Sequence, residues 1–209
     1  MRNGIFITFE GPDGSGKTTI STYVADELAK MGYDVIYSRE PGGIDIAEQI
    51  RNVVLDPKNT AMDAKTEALL YAASRRQHFV EKIKPALENG KVVICDRFVE
   101  SSLAYQGYGR GIGIDEIYRI NEFAIEGWLP DATFFLDLSP EAGLGRIETR
   151  ANKDRLDQES NDFHDRVYEG YQEVLRRYRH RITVIDASQD VEAVKAEALR
   201  LVLEKVQND

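Results

Sequence analysis

The clearest chemistry in the chain lies in Gly11-Pro12-Asp13-Gly14-Ser15-Gly16-Lys17-Thr18, a full match to the pattern G-x-x-x-x-G-K-[ST]. Glycines allow the tight turn and the close backbone approach that such a loop needs. Its N–H groups, gathered at a helix N-terminus, form a partly positive nest suited to a polyphosphate. The spacing aims Lys17 at the β- and γ-phosphates of a nucleotide and the Thr18 hydroxyl at Mg²⁺, with Thr19 adjoining. Two further charged pairs close apolar runs, Arg39-Glu40 and Asp96-Arg97. Asp96 offers a carboxylate to Mg²⁺, directly or through water, and Arg97 offers a cation beside it.

Positioning these residues requires strands that end where they stand. Ile5 to Glu10 is a short apolar, β-prone run, and Thr18 to Met31 spaces Ile20, Tyr23, Val24, Leu28 and Met31 along one helical face. Val35 to Ser38 predicts a second strand, and Ile46, Ile50, Val53 and Val54 give the next helix its apolar stripe. A long helix is expected from about Ala64 to Asn89, with Leu69, Ala72, Phe79, Ile83 and Leu87 inward and Tyr71, Arg75 and Lys82 on another face. Lys91 to Asp96 is a continuous apolar run, the pattern of a strand buried on both faces. Helix resumes at about Arg97 and is broken by Gln106 to Gly111; with Arg97 as its first residue, Arg97, Ser101 and Tyr105 fall on one face at i, i+4 and i+8. Ile114 to Glu126 is helical, Ala132 to Leu138 a fourth strand, and Glu141 to Arg150 a helix. The polar stretch Asn152 to Asn161 reads as a loop, Phe163 to about His180 as a helix, Ile182 to Ile185 as a fifth strand, and Val191 to Val206 as the last helix.

Strands alternating with helices predict an α/β fold, a five-stranded parallel sheet covered by helices on both faces. Ligands bind at the C-terminal edge of such sheets, so Glu10, Arg39-Glu40 and Asp96-Arg97 should converge there. At 209 residues, with no linker or repeat, the chain is expected to be one domain. Its 27 basic and 36 acidic residues leave a net charge of −9, which argues against a general nucleic-acid binder. Cys95 is the only cysteine, so a disulfide within the chain and a cysteine zinc site are excluded. With no membrane-length apolar run and no signal-peptide layout, the expected compartment is the cytoplasm. A GTPase is disfavoured: Asn152-Lys153-Asp154 misses the N-K-x-D spacing.

In its remaining motifs the chain closely resembles the thymidylate kinases over essentially its whole length. The loop Phe9 to Thr19, Arg39-Glu40-Pro41-Gly42-Gly43, Ala72 to Arg75, Asp96-Arg97-Phe98, Ala104-Tyr105-Gln106-Gly107 and Asp154-Arg155-Leu156-Asp157 follow one another in the family's order. The resemblance implies a P-loop NTPase fold with a small mobile lid at about residues 150–161. The implied activity is transfer of the γ-phosphoryl group of ATP to dTMP, with Mg²⁺, in a homodimer. It implies that Gly11 to Thr19 binds ATP. It places Arg97 on the acceptor phosphate, Ser101, Ser102 and Gln106 beside the base, Tyr105 on the deoxyribose, and Tyr71 with Arg75 on thymine. Asp13 would face the acceptor 3′-hydroxyl, with Glu40 and Arg51 near the acceptor, and Ser188 and Gln189 near adenine.

The phosphate loop has Gly14 where some relatives carry a catalytic arginine, so the lid cations Arg150, Lys153 and Arg155 are expected to supply that charge. Ile44 departs from the threonine common after Arg39 to Gly43, which removes a hydroxyl contact there. Such chemistry needs little acid–base help, because the acceptor oxygen is already anionic. Drawing two anions together with positive charge is the main task. Two alternatives stay open on the residues alone, a kinase for another nucleoside monophosphate and a non-catalytic nucleotide switch.

Overall fold

Five runs rich in β-branched and aromatic residues form one all-parallel sheet in the computed structural model, which describes residues 3–148 and 154–208. The strands are β1 (Ile5–Glu10), β2 (Val35–Arg39), β3 (Val92–Asp96), β4 (Ala132–Asp137) and β5 (Ile182–Asp186), in the spatial order β2-β3-β1-β4-β5. The register sets Phe9 opposite Asp96, and Asp96 opposite Arg39. Thus the charged residues that end these strands meet at one edge.

Alternation along each strand sorts side chains between two apolar layers. Ile7, Phe9, Ile94, Phe134 and Leu136 face α1 (Lys17–Lys30) and α9 (Val191–Asn208). Phe6, Val93, Cys95 and Phe135 face the other way. That second layer is formed by α2 (Asp45–Leu55), α3 (Ala64–His78), a π-helical turn at Phe79–Ile83 and α4 (Lys84–Glu88). It is completed by α5 (Val99–Ser102), α6 (Ile114–Ile125) and α8 (Asn161–Tyr178), while α7 is Pro140–Glu148. Each fully buried Phe or Ile contributes roughly 1.5–3 kcal/mol, so both faces hold the strand ends firmly. The same alternation gives the polar ends different neighbours: Asp96 points toward α1, and Glu10 toward α5 and α8.

The expected elements are present, with differences in detail, among them Met31, which follows α1 and is exposed rather than on its inward face. Ala64 to Asn89 is one helical path, but it passes through the π turn at Phe79–Ile83 and its inward positions shift. Leu69 is exposed, while Tyr71 and Arg75, expected on another face, are buried. On α2 the exposed pair is Ile46 and Val53, and Ala47 and Val54 are buried. Arg97 does not begin a helix: its φ is +72°, and α5 starts at Val99. Finally, Gln106-Gly107 does not break the helix, which continues from Leu103 to Gly109 in π-helical form. Among the described residues, no helix is long and apolar enough to cross a membrane.

Candidate active site

The loop between β1 and α1 wraps as its glycines require. At Gly11 (φ +146°) an added Cβ would lie 2.6 Å from the Leu136 carbonyl oxygen, and at Gly14 (φ +79°) it would collide with the Gly143 backbone of α7. An arginine at position 14 is therefore excluded by packing here. Lys17, buried at the start of α1, donates to the Pro12 carbonyl at 2.7 Å and lies 3.4 Å from Ser15 Oγ. Burial, reinforced by the Arg97 charge, holds its ammonium down at about 8 against the pull of Asp13, Asp96 and Glu10.

Thr18 donates its hydroxyl proton to Asp96 Oδ2 at 2.5 Å, while the buried Oδ1 has no hydrogen-bond partner among the described residues. A hydroxyl and a half-engaged carboxylate form a hard-oxygen set, and the unmatched oxygen fits Mg²⁺. No group of three or more His, Cys, Asp or Glu among the described residues is placed to hold a metal. An ion here would therefore take its other ligands from water and phosphate.

One cleft of about 560 Å³ runs from this loop to the far side of the sheet edge. Asp13, Gly14, Ser15, Gly16, Lys17, Thr18 and Thr19 line one end, with Gln189 and Val194 beyond; Gly11, Pro12 and Ser188 do not line it. Ser188 instead bonds Asp186 at 2.6 Å. Glu40, Arg51, Tyr71, Arg75, Ser101, Ser102, Tyr105 and Gln106 line the other end, and Asp96 and Arg97 sit between. The sequence-predicted residues on described elements thus meet around one space, apart from Arg155 and those loop positions.

Arg97 is the junction of the cleft. Its left-handed backbone, uncommon for a side chain with a Cβ, is fixed by an N–H bond to the Phe9 carbonyl at 2.9 Å. Its guanidinium pairs with Asp13 and donates to Ser101 Oγ at 3.0 Å and Tyr171 Oη at 3.1 Å. It also lies 5.3 Å from the Tyr105 ring centroid. The Arg97–Ser101–Tyr105 cluster expected from helical spacing therefore forms, although Arg97 stands outside the helix. Tyr105 donates to Asp13 Oδ2 at 2.5 Å. Burial alone would raise the Asp13 carboxyl, but Arg97, Lys17 and Tyr105 outweigh it and hold the group at about 2.

Beneath Arg97, buried Glu10 accepts from the Phe98 N–H at 2.7 Å and the Ser101 hydroxyl at 2.5 Å. It thereby serves as a cap for short α5. Burial, and next the Glu100 charge, raise its carboxyl to about 7 despite Ser101 and Arg97.

At the far end, Arg75 uses four of its five N–H groups internally. They go to Glu40 Oε2 at 2.6 Å, Ser102 Oγ at 3.0 Å, the Phe98 carbonyl at 2.8 Å, and Asn121 Oδ1. Among the described residues one donor is left over, and Arg75 lines the cleft. Glu40 is fully engaged, because Oε1 lies 3.0 Å from His78 Nδ1. Its role here is to hold Arg75. His78 also meets Ser38 Oγ through Nε2 at 2.7 Å. Ile44 precedes α2 as an N-cap with no side-chain hydrogen bond to offer, and Glu48 accepts the Gly43 N–H at 2.7 Å.

Arg150 and Lys153 lie outside the described residues. Arg155 is buried away from the cleft, where Nη2 donates to Glu67 at 2.6 Å and Nε to the Val54 carbonyl at 2.8 Å. Its neighbours Asp154, Leu156 and Asp157 do line the cleft. Sequence reasoning missed Glu67 and Tyr171 as site supports. The available signal for Glu67 was its place on α3, four residues before Tyr71 and eight before Arg75.

A family model described as Thymidylate kinase matches residues 9–198. The thymidylate kinase of Bacillus licheniformis is 58% identical over 194 residues, 92% of each chain. That of Clostridium novyi is 57% identical over 196 residues, 93% of this chain and 96% of the other. The crystal structure of thymidylate kinase from Ehrlichia chaffeensis superposes with a TM-score of 0.78 at 36% identity, covering 96% of this chain and 99% of that one. With the phosphate loop, the Asp96-Arg97 strand end and the Tyr71–Arg75 pair already on one cleft, these likenesses agree with the geometry: the chain belongs to the thymidylate kinase family.

Proposed function

We propose that the chain carries out its family's reaction, transfer of the γ-phosphoryl group of ATP to dTMP to give ADP and dTDP for dTTP synthesis, inside this cleft. The observation that carries the reading is the convergence of Lys17, Arg97, Arg51 and Arg75 on one space bordered by a phosphate loop, in a chain of net charge −9. Two anionic nucleotides meeting end to end need that local excess of cations.

In this reading Gly11 to Thr19 cradles the ATP phosphates, and Lys17 exchanges the Pro12 carbonyl for phosphate oxygen. Bound Mg²⁺, held by Thr18 and Asp96, would offset negative charge on the phosphates. The acceptor phosphate takes the place of Asp13 on Arg97, which frees Asp13 for the 3′-hydroxyl. Tyr105 borders the sugar, Ser101, Ser102 and Gln106 border the base, and Glu40 and Arg51 support the acceptor end. Tyr71 stacks on thymine, and the spare Arg75 donor meets its O4, favouring it over cytosine, whose amino group is a donor. Residues 150–161 form the lid of a single 1–209 domain, with Arg150 and Arg155 adding charge as it closes and water is excluded.

The protein is placed in the cytoplasm as a homodimer, with no nucleic-acid or membrane partner. Exposed Ile46, Val53, Leu69 and Phe123 on the neighbouring helices α2, α3 and α6 support a second copy as the partner. The deciding experiment is ADP release in a coupled assay over a panel of monophosphates. dTMP should be turned over best; equal turnover of UMP, CMP or GMP would overturn the acceptor, and ATP binding without dTMP-dependent ADP release would overturn the enzyme.

A further inference from the structure

Glu67 is 1% exposed, yet it is the meeting point of three segments around the acceptor end of the cleft. Its Oε1 accepts from Gln106 Nε2 at 2.9 Å and from Arg110 Nε at 3.2 Å. Its Oε2 accepts from Arg110 Nη2 at 2.9 Å and from Arg155 Nη2 at 2.6 Å. Four donors thus occupy the carboxylate, and the two guanidiniums keep it ionised: burial would raise its pKa, but these bonds lower it.

An ionised carboxylate only accepts hydrogen bonds. The amide of Gln106 must therefore turn its NH₂ to Glu67, since the flipped amide would set carbonyl oxygen against carboxylate oxygen. Gln106 lines the cleft, and among the described residues no donor reaches its carbonyl oxygen.

We propose that Glu67 is a specificity-determining positioning residue, which holds the Gln106 NH₂ and so turns the carbonyl oxygen of that amide, an acceptor, toward the nucleobase. This rests on the thymidylate reading and deepens it. A thymine or uracil ring carries N–H at position 3 and matches a carbonyl. Cytosine carries a lone pair there and would need the NH₂ of a flipped amide. The lock is an independent filter beside Arg75, which reads the neighbouring position on the ring, and it rejects a cytosine acceptor by denying it the alternative amide orientation.

The test is the ratio of kcat/KM for dTMP over dCMP in the full-length enzyme, since a merely structural role would lower both without moving their ratio. Glu67→Gln, which can donate as well as accept, frees the amide to turn. The ratio should fall by about tenfold or more, the size of one buried hydrogen bond made or left unmatched. Glu67→Asp keeps a charge for Arg110 and Arg155 but withdraws the carboxylate from Gln106 by one methylene. It should lower the ratio in the same direction and covers the case in which Glu67→Gln does not fold. An unchanged ratio in a folded variant overturns the lock. A wild-type enzyme that used dCMP as well as dTMP would overturn the acceptor reading and the lock together.

Discussion

Arg97 and Asp13, 84 residues apart, form an ion pair across the seam between the phosphate loop and the acceptor end of the cleft. The loop that would hold the donor phosphates thus also holds the cation meant for the acceptor. With Asp13 kept ionised by this pair, an incoming phosphate must compete with a carboxylate for the same guanidinium. Arg97→Ala removes that anchor. Use of dTMP should drop by about a hundredfold or more in kcat/KM, the loss expected for a charge-assisted contact that also positions the reacting group. ATP affinity should stay within about threefold, as equilibrium binding would show. A larger loss for ATP than for dTMP would reverse the assignment of the two ends.

Lys17 predicts a proton linkage. Its native pKa of about 8 lies below the ordinary value of 10.5 because the charged form is desolvated and faces Arg97. A triphosphate brings negative charge to the ammonium and raises its pKa again. Between about pH 8 and 10 the free protein therefore carries less than a full proton on Lys17, and binding ATP must take one up. Calorimetric titrations at pH 8.5 in buffers of different ionisation enthalpy should show net uptake of a fraction of a proton. Lys17→Met should abolish it.

Glu10 sets a stability trend of opposite origin. Its native carboxyl, raised to about 7, holds its proton to a higher pH than the unfolded value of 4.5. The folded state therefore binds more protons between those limits, and stability falls as pH rises from about 5 to above 7. Glu10→Gln should flatten the pH dependence of the thermal midpoint over that window, while the wild type loses a few degrees.

Arg155 has a place in the structure that its polar surroundings did not announce. Its buried pair with Glu67 means that Arg155→Ala leaves part of a carboxylate unmatched, although Arg110 remains. The thermal midpoint without nucleotides should fall by about 5–10 °C, as for a loss of roughly 2–3 kcal/mol in a domain of this size. If Arg155 leaves Glu67 to serve in the closed lid, kcat also falls by about tenfold or more with little change in either KM. A loss of stability with kcat intact would confine it to a structural tie.

Phe123 is 85% exposed on α6 and Leu69 is 58% exposed on α3. If a second copy covers these helices, the double substitution Phe123→Lys and Leu69→Lys should shift sedimentation from dimer toward monomer at micromolar concentration. No shift would move the interface elsewhere.

Local pattern alone was enough for the phosphate loop, the five strands and the helices between them, because glycine geometry and apolar periodicity act over a few residues. It was also enough to bring Glu10, Asp96 and Arg97 to one edge, since a parallel sheet aligns its strand ends. Tertiary packing decided the rest. Leu69 reads as core by period, but only the placement of α2 and α6 against α3 determines which stripe is covered. Arg97 looks like the first residue of a helix until the Phe9 carbonyl fixes its N–H and the backbone turns left-handed. Arg155 reads as a solvated lid cation, and nothing local to it reveals a carboxylate 88 residues away. Glu67 itself looks like any glutamate on a helix. Its importance comes from Gln106, Arg110 and Arg155 converging on it, a relation that exists only once distant segments share one low-dielectric interior where buried charges must be paired.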